Sequence, residues 1–177
     1  IAFRWFTREF RPAFDDVSIS ELRLRWKSGS VLQFRSADNY DAIRGEGFHG
    51  VVGDEFASWP REAWEEVVRA TLSDTNGWAL LVGTPKGRNL FWELWMRGQD
   101  PATWPDYASW QLPTAANPYI PASEIDEARN SLPYDVFRQE YEAQFLDDAA
   151  GVFRNLKACE RGAYESEPVH GHQYVIG

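Results

Sequence analysis

Between residues 48 and 95 the sequence follows a pattern that few folds accommodate. A short apolar run, Phe48-His49-Gly50-Val51-Val52-Gly53, ends on two adjacent carboxylates, Asp54 and Glu55. Ser58-Trp59-Pro60 then opens a stretch of helical period with Trp64, Val67, Val68 and Leu72 on one face. Ser58 is its expected N-cap, Pro60 an early helical residue and Asn76-Gly77 its stop. A second apolar run, Trp78 to Val82, leads into Gly83-Thr84-Pro85-Lys86-Gly87, and a further helix turns Leu90, Phe91, Leu94 and Trp95 inward. Short apolar runs read as strands of a buried parallel sheet. Strand, helix, strand is a βαβ unit, which sets two parallel strands side by side with their C-terminal tips at one edge. The expected fold class is α/β, a mostly parallel sheet flanked by helices.

Acid side chains at the tip of such a strand are costly unless something there uses them. In nucleotide hydrolases an Asp in this place holds Mg²⁺ and an adjacent Glu polarises the attacking water. Asp54, Glu55, Thr84 and Lys86 are expected to share one crevice, where the Thr hydroxyl can sense a phosphate or its bound water. Arg44, in the loop Arg44-Gly45-Glu46-Gly47 before the first strand, has the setting of an arginine finger that stabilises transition-state charge. Plainer readings stay open on these residues alone. The acid pair can begin a solvated loop or cap the next helix, Gly83-Thr84-Pro85 can be an ordinary turn, and Arg44 can be a surface arginine.

The flanking sequence adds smaller elements. Residues 2–14 alternate aromatic and basic side chains (Phe3, Arg4, Trp5, Phe6, Arg8, Phe10, Arg11) and read as a core-facing helix with solvated arginines. Residues 17–36 read as a hairpin with Leu22, Leu24 and Trp26 inward, Arg23 and Arg25 outward, and a turn at Lys27-Ser28-Gly29-Ser30. A strand is expected at Tyr107-Ala108-Ser109-Trp110-Gln111-Leu112. Two helices are expected beyond it, Ser123 to Asn130 with Ser123 as cap, and Tyr134 to Phe145 with Phe137, Tyr141 and Phe145 on one face. That helix pair carries no catalytic constellation and reads as structural or as a moving lid.

The net charge of −9 leaves no global basic footprint for nucleic acid, which argues against a stand-alone DNA-binding module but not against a local patch. Arg4, Arg8, Lys86 and Arg88 are the candidates for such contacts. The single Cys159 excludes an internal disulfide and a cysteine zinc site and fits a reducing compartment. His170 and His172 have no third ligand nearby, so no metal site is expected there. No apolar run reaches membrane-spanning length. The chain opens at Ile1 without an initiator Met and closes on Tyr174-Val175-Ile176-Gly177, which looks like a strand just beginning, so both ends are expected to lie inside a longer protein.

Taken in order, these motifs resemble the large subunit of tailed-phage terminases, the ATP-driven DNA-packaging motor. Val51-Val52-Gly53-Asp54-Glu55 is similar to its Walker B segment, and Leu81-Val82-Gly83-Thr84-Pro85 to its coupling motif. Arg44-Gly45 resembles the Arg-Gly preceding Walker B, whose Arg acts in trans. Asn117-Pro118 and Phe137 to Phe145 resemble the segment after the ATPase core. The resemblance implies the C-terminal part of a terminase ATPase domain, a partial P-loop NTPase of the ASCE type, over residues 1–147, a linker over 148–172 and the first strand of an RNase H-like nuclease domain at 173–177. It implies ATP and Mg²⁺ as cofactors, with Asp54 on the metal, Glu55 and Arg44 catalytic, and Gly83 and Thr84 at the nucleotide. Double-stranded DNA, the portal protein, the terminase small subunit and further copies in a ring are the implied partners. The implied place is the host cytoplasm, docked transiently on the procapsid, with no membrane. No Gly-x-x-x-x-Gly-Lys-[Ser/Thr] loop occurs, and the nuclease acids are absent, so the 177 residues alone are expected to be inactive. The alternatives are a fragment of a DExD-type helicase, or a degenerate prophage remnant that keeps the fold without the activity. Phe56-Ala57-Ser58 after the acid pair favours the terminase over the helicase.

Overall fold

The computed structural model describes residues 2–146. The expected linker at 148–172 and nuclease strand at 173–177, with Cys159, His170 and His172, lie outside the described residues.

The chain opens with helix α1 (Ala2–Glu9). Its aromatic face does not enter a core as expected. No α1 residue is buried; Phe3 and Phe6 pack edge-on against Phe34, and Trp5 stays exposed. The hairpin forms from β2 (Arg23–Trp26) and β3 (Val31–Gln33), and an unexpected strand, β1 (Phe14–Ser18), extends it to an antiparallel sheet of order β1-β2-β3. Leu24 is fully buried between Val17 and Leu32. Leu22 does not join it, because it lies in the preceding turn with a left-handed φ of 50° and is exposed. Nor is Arg23 simply wet. It is half-buried, with its guanidinium on Glu21 at 2.8 Å and on Asp16 of β1 at 3.6 Å.

The βαβ unit forms as the apolar runs require. β4 (Gly50–Gly53) pairs in parallel with β5 (Trp78–Leu81), Val51 opposite Ala79 and Gly53 opposite Leu81. The crossover helix begins just after Pro60, widens into a π-turn at Ala63–Val68, and continues as α2 (Arg69–Ser73). The widening shows as a five-residue bond from the Arg69 N–H to the Trp64 carbonyl. Ser58 is not its cap: it closes a separate short turn, Phe56–Ser58, and Pro60 accepts the first helical bond, from Ala63 N–H at 3.1 Å. The Asn76-Gly77 stop holds. Asn76 is left-handed, and the Gly77 N–H returns to the Leu72 carbonyl at 2.8 Å. Gly77 is obligatory on packing grounds, since a Cβ there would sit 2.5 Å from the Phe48 carbonyl oxygen.

Trp64, Val67, Val68 and Leu72 from the crossover, and Leu90 and Leu94 from α3 (Leu90–Gly98), form one core with Ile43 and Phe56. Val51 and Leu81 pack against it from the sheet. Phe56, 2% exposed, is the residue that ties this core to the acid pair: its ring meets Trp59, Trp64 and Phe91 at 5.1–5.8 Å. Phe56→Ala is expected to destabilise the fold by about 3–5 kcal/mol, from lost burial plus the cavity left behind. Urea unfolding of variant and wild type measures this, and a loss below about 1 kcal/mol would show that the turn is not anchored by that ring.

The strand expected at 107–112 is not formed. The segment has no ladder partner among the described residues and is held by side chains instead. Gln99 donates to Ser109, Ser109 donates to the Trp95 carbonyl at 2.7 Å, and Gln111 donates to the Ala143 carbonyl at 2.8 Å. Two helices follow, α4 (Ala122–Ser131) and α5 (Tyr134–Glu140), sharing a small core of Ile125, Ala128 and Phe137. Pro121, not Ser123, stands at the α4 N-cap, without a side-chain cap. α5 ends five residues early. Tyr141 stacks on Phe137, but left-handed Ala143 turns the chain, and Phe145 leaves that stripe to pack on Phe91 and Trp95.

Candidate active site

Asp54 and Glu55 directly follow β4 at its C-terminal tip, and the β4–β5 ladder carries on past both strand ends to frame them. Val82 N–H donates to the Gly53 carbonyl at 2.8 Å, and Phe56 N–H donates to the Val82 carbonyl at 2.9 Å. Glu55 takes a left-handed backbone, φ 50° and ψ 35°, which costs a non-glycine residue roughly 1–2 kcal/mol. The conformation turns the chain sharply out of the strand and leaves the Glu55 side chain exposed at the tip. The Trp59 indole N–H donates to the Asp54 carbonyl at 2.9 Å and fixes the start of the turn.

The tip of β5 lies against the same turn. A Cβ added to Gly83 would stand 3.1 Å from Phe56 N and 3.4 Å from Ala57 N, so the loop carrying Thr84 runs almost flush with the backbone after Glu55. Glu55, Thr84 and Lys86 meet with Ala57, Ser58 and Glu140 around an open crevice of about 190 Å³. Of the four residues expected to share a crevice, three therefore do. Asp54 does not line it; its Oδ1 accepts from the Glu55 N–H at 3.0 Å. Lys86 spans the two loops, its Nζ donating to Ser58 Oγ at 2.7 Å.

Arg44 stands apart. It caps the short turn Ala37–Ile43, before Gly45 with its φ of +81°, and does not line the crevice. Its Nε donates to Asp41 Oδ1 at 2.6 Å and one Nη donates to Glu66 Oε2 at 3.1 Å. The hydrogen bonds to Asp41 and then to Glu66 hold its pKa above the ordinary arginine value, so it is a fixed cation.

Three residues at the site had no role in it from sequence. Ser58 receives Lys86. Glu140 reaches the crevice from the end of α5, a helix that offered no catalytic pattern. Asn89 works in two directions: its Oδ1 accepts from Phe91 N–H and Trp92 N–H and so caps α3, while its Nδ2 donates to the Ala57 carbonyl at 2.8 Å. The capping half was readable, since an Asn directly before an apolar helix is an N-cap signal. The other half crosses 32 residues.

The described residues contain no group of three or more His, Cys, Asp or Glu able to hold a metal by themselves. Neither Asp54 nor Glu55 makes an ion pair among those residues, and both are exposed. A single carboxylate backed by waters and phosphate oxygens is a coordination set that Mg²⁺ accepts. No helix among the described residues is long and apolar enough to cross a membrane.

Comparison with known proteins supplies the family. Residues 1–158 match the family model for the N-terminal part of the T4-like-virus type of terminase large subunit. The terminase large subunit of Thermus phage G20c is 35% identical over 145 residues, 72% of this chain and 29% of that protein. That of Escherichia phage T5 is 32% identical over 135 residues, 75% of this chain and 31% of that protein. The chain thus spans less than a third of the length of these relatives. Among solved structures, the large terminase ATPase domain of Thermus phage P74-26 superposes with a TM-score of 0.61 at 30% identity, covering 78% of this chain and 66% of that one. An arginine-to-alanine variant of the same domain gives 0.62. With the acid pair and the Thr-Pro loop side by side at the tips of a parallel sheet, and with the family model matching residues 1–158, the chain belongs to the terminase large subunit family.

Proposed function

We propose that this chain is part of a motor that hydrolyses ATP to drive double-stranded DNA into a viral procapsid. Asp54 would hold Mg²⁺, and Glu55 would orient and activate the water that attacks the γ-phosphate. Thr84, on the loop beside Gly83, answers to the state of that phosphate, and Arg44 serves the site of a neighbouring copy in a ring. The metal, when bound, neutralises charge on the phosphate oxygens. The portal protein and the terminase small subunit are the expected docking partners, and cleavage of the DNA belongs to a nuclease domain elsewhere in the full-length protein.

One observation carries the reading: in a chain of this family, Glu55 and Thr84 reach one crevice from the tips of two adjacent parallel strands. Phosphoryl transfer depends on positioned charge more than on covalent chemistry, and a carboxylate, a hydroxyl and an ammonium group around one crevice supply that kind of positioning. The placing of Arg44 outside the crevice fits a residue that acts on another subunit.

The full-length protein is expected to release phosphate from ATP in the presence of Mg²⁺, and to stop when EDTA removes the metal. Phosphate release followed with DNA and portal present tests this. No ATP-dependent release under those conditions would overturn the proposal and favour a remnant that keeps the fold without the activity.

A further inference from the structure

Resting on the reading of Glu55 above, we propose that Asn89 is a positioning residue for that carboxylate, holding the Glu55 turn to the start of α3. The turn departs from ordinary backbone geometry at Glu55, and a left-handed glutamate persists only where its surroundings fix it. Beyond the turn's own backbone bonds and the Lys86–Ser58 bridge, three contacts hold it. The Trp59 indole takes the Asp54 carbonyl, the Val82 carbonyl takes the Phe56 N–H, and Asn89 Nδ2 takes the Ala57 carbonyl. The first comes from the same loop and the second from the strand ladder. Asn89 alone comes from a helix terminus, and its amide is locked at both ends.

The orientation of that amide follows from its partners. Two backbone N–H groups at 3.1 and 3.3 Å demand an oxygen, and a carbonyl at 2.8 Å demands an N–H, so the reversed amide would lose all three bonds. Gly83 lies flush against Phe56 and Ala57 on the way from β5 to Asn89. The segment from Val82 to Asn89 therefore grips the Glu55 turn at both of its own ends, by the Val82 carbonyl and by the Asn89 amide, with Thr84 and Lys86 between them. A shift of Thr84 would be felt at Glu55 through the Val82 carbonyl at one end of the segment and the Asn89 side-chain amide at the other, which makes Asn89 a point where nucleotide state and water activation are tied together.

Asn89→Asp separates this role from capping. The carboxylate keeps the acceptor that caps α3 and puts an oxygen where the Ala57 carbonyl needs a donor. Asn89→Ser, a good cap too short to reach Ala57, is the second variant. In the full-length protein both are expected to lower kcat for ATP roughly tenfold, as small displacements of a catalytic group do, with KM within about twofold. Hydrogen exchange is expected to speed up at the amides of Phe56 to Ser58 and stay unchanged in α3. Normal kcat in both variants, beside a dead Glu55→Gln control, overturns this inference alone, and so does unchanged exchange at Phe56 to Ser58. Wild-type hydrolysis by Glu55→Gln overturns the reading of Glu55 itself, and the positioning role falls with it.

Discussion

Glu55→Gln in the full-length protein is expected to lower kcat for ATP hydrolysis by about a hundredfold or more, the usual range for loss of a positioned base, with nucleotide affinity retained. Gln matches Glu in size and keeps an oxygen at the crevice but cannot take a proton. Glu55 is exposed and makes no ion pair among the described residues, so the substitution removes no structural contact. Loss of rate with unchanged folding is therefore a statement about chemistry. The decisive comparison is single-turnover hydrolysis beside equilibrium binding of a labelled nucleotide. Hydrolysis within a factor of three of wild type would remove Glu55 from the mechanism.

The second large effect belongs to Arg44. Its partners, Asp41 and Glu66, hold it on exposed surface, where solvent screens such pairs and they add little to stability. Arg44→Ala should leave the fold nearly as stable as before, yet lower hydrolysis by the assembled motor roughly 10³-fold, as loss of an arginine finger does. The diagnostic experiment mixes two dead proteins. A subunit with Arg44→Ala keeps Glu55, and its neighbour with Glu55→Gln keeps Arg44, so mixed rings regain complete sites at their junctions. Recovery on mixing is the expected outcome. Failure to recover, with rings formed, would confine Arg44 to its own subunit.

Much of this architecture is written locally. The apolar runs at 50–53 and 78–81, the face of Trp64, Val67, Val68 and Leu72, and the Asn76-Gly77 stop each depend on near neighbours, and each was legible. What escaped depends on partners far along the chain. β1 is hidden because Phe14-Asp15-Asp16-Val17-Ser18 reads as polar until Arg23 arrives from the next strand to pair with Asp16. Tyr107 to Leu112 has the composition of a strand, but a strand needs a neighbour, and none lies beside it among the described residues. The four-residue spacing of Phe137, Tyr141 and Phe145 mimics a continuous helix. The helix ends at Glu140, and the last ring is used against α3 instead. The site divides in the same way. Glu55 and Thr84 were marked by strand-end position, whereas the bonds of Ser58 to Lys86 and of Asn89 to Ala57, and the approach of Glu140, became visible only when their distant partners were placed.

The left-handed backbone at Glu55 sets two demands on one position against each other. Glycine is the residue that such a backbone prefers, and a chain chosen for folding alone would tend to place it there. A carboxylate in that position is a standing debit against stability, tolerable because a buried phenylalanine and a web of backbone bonds on its C-terminal side carry the deficit. Variants selected for heat resistance without selection for activity should drift at this residue first, and the tips of the parallel strands would become more robust as they became inert.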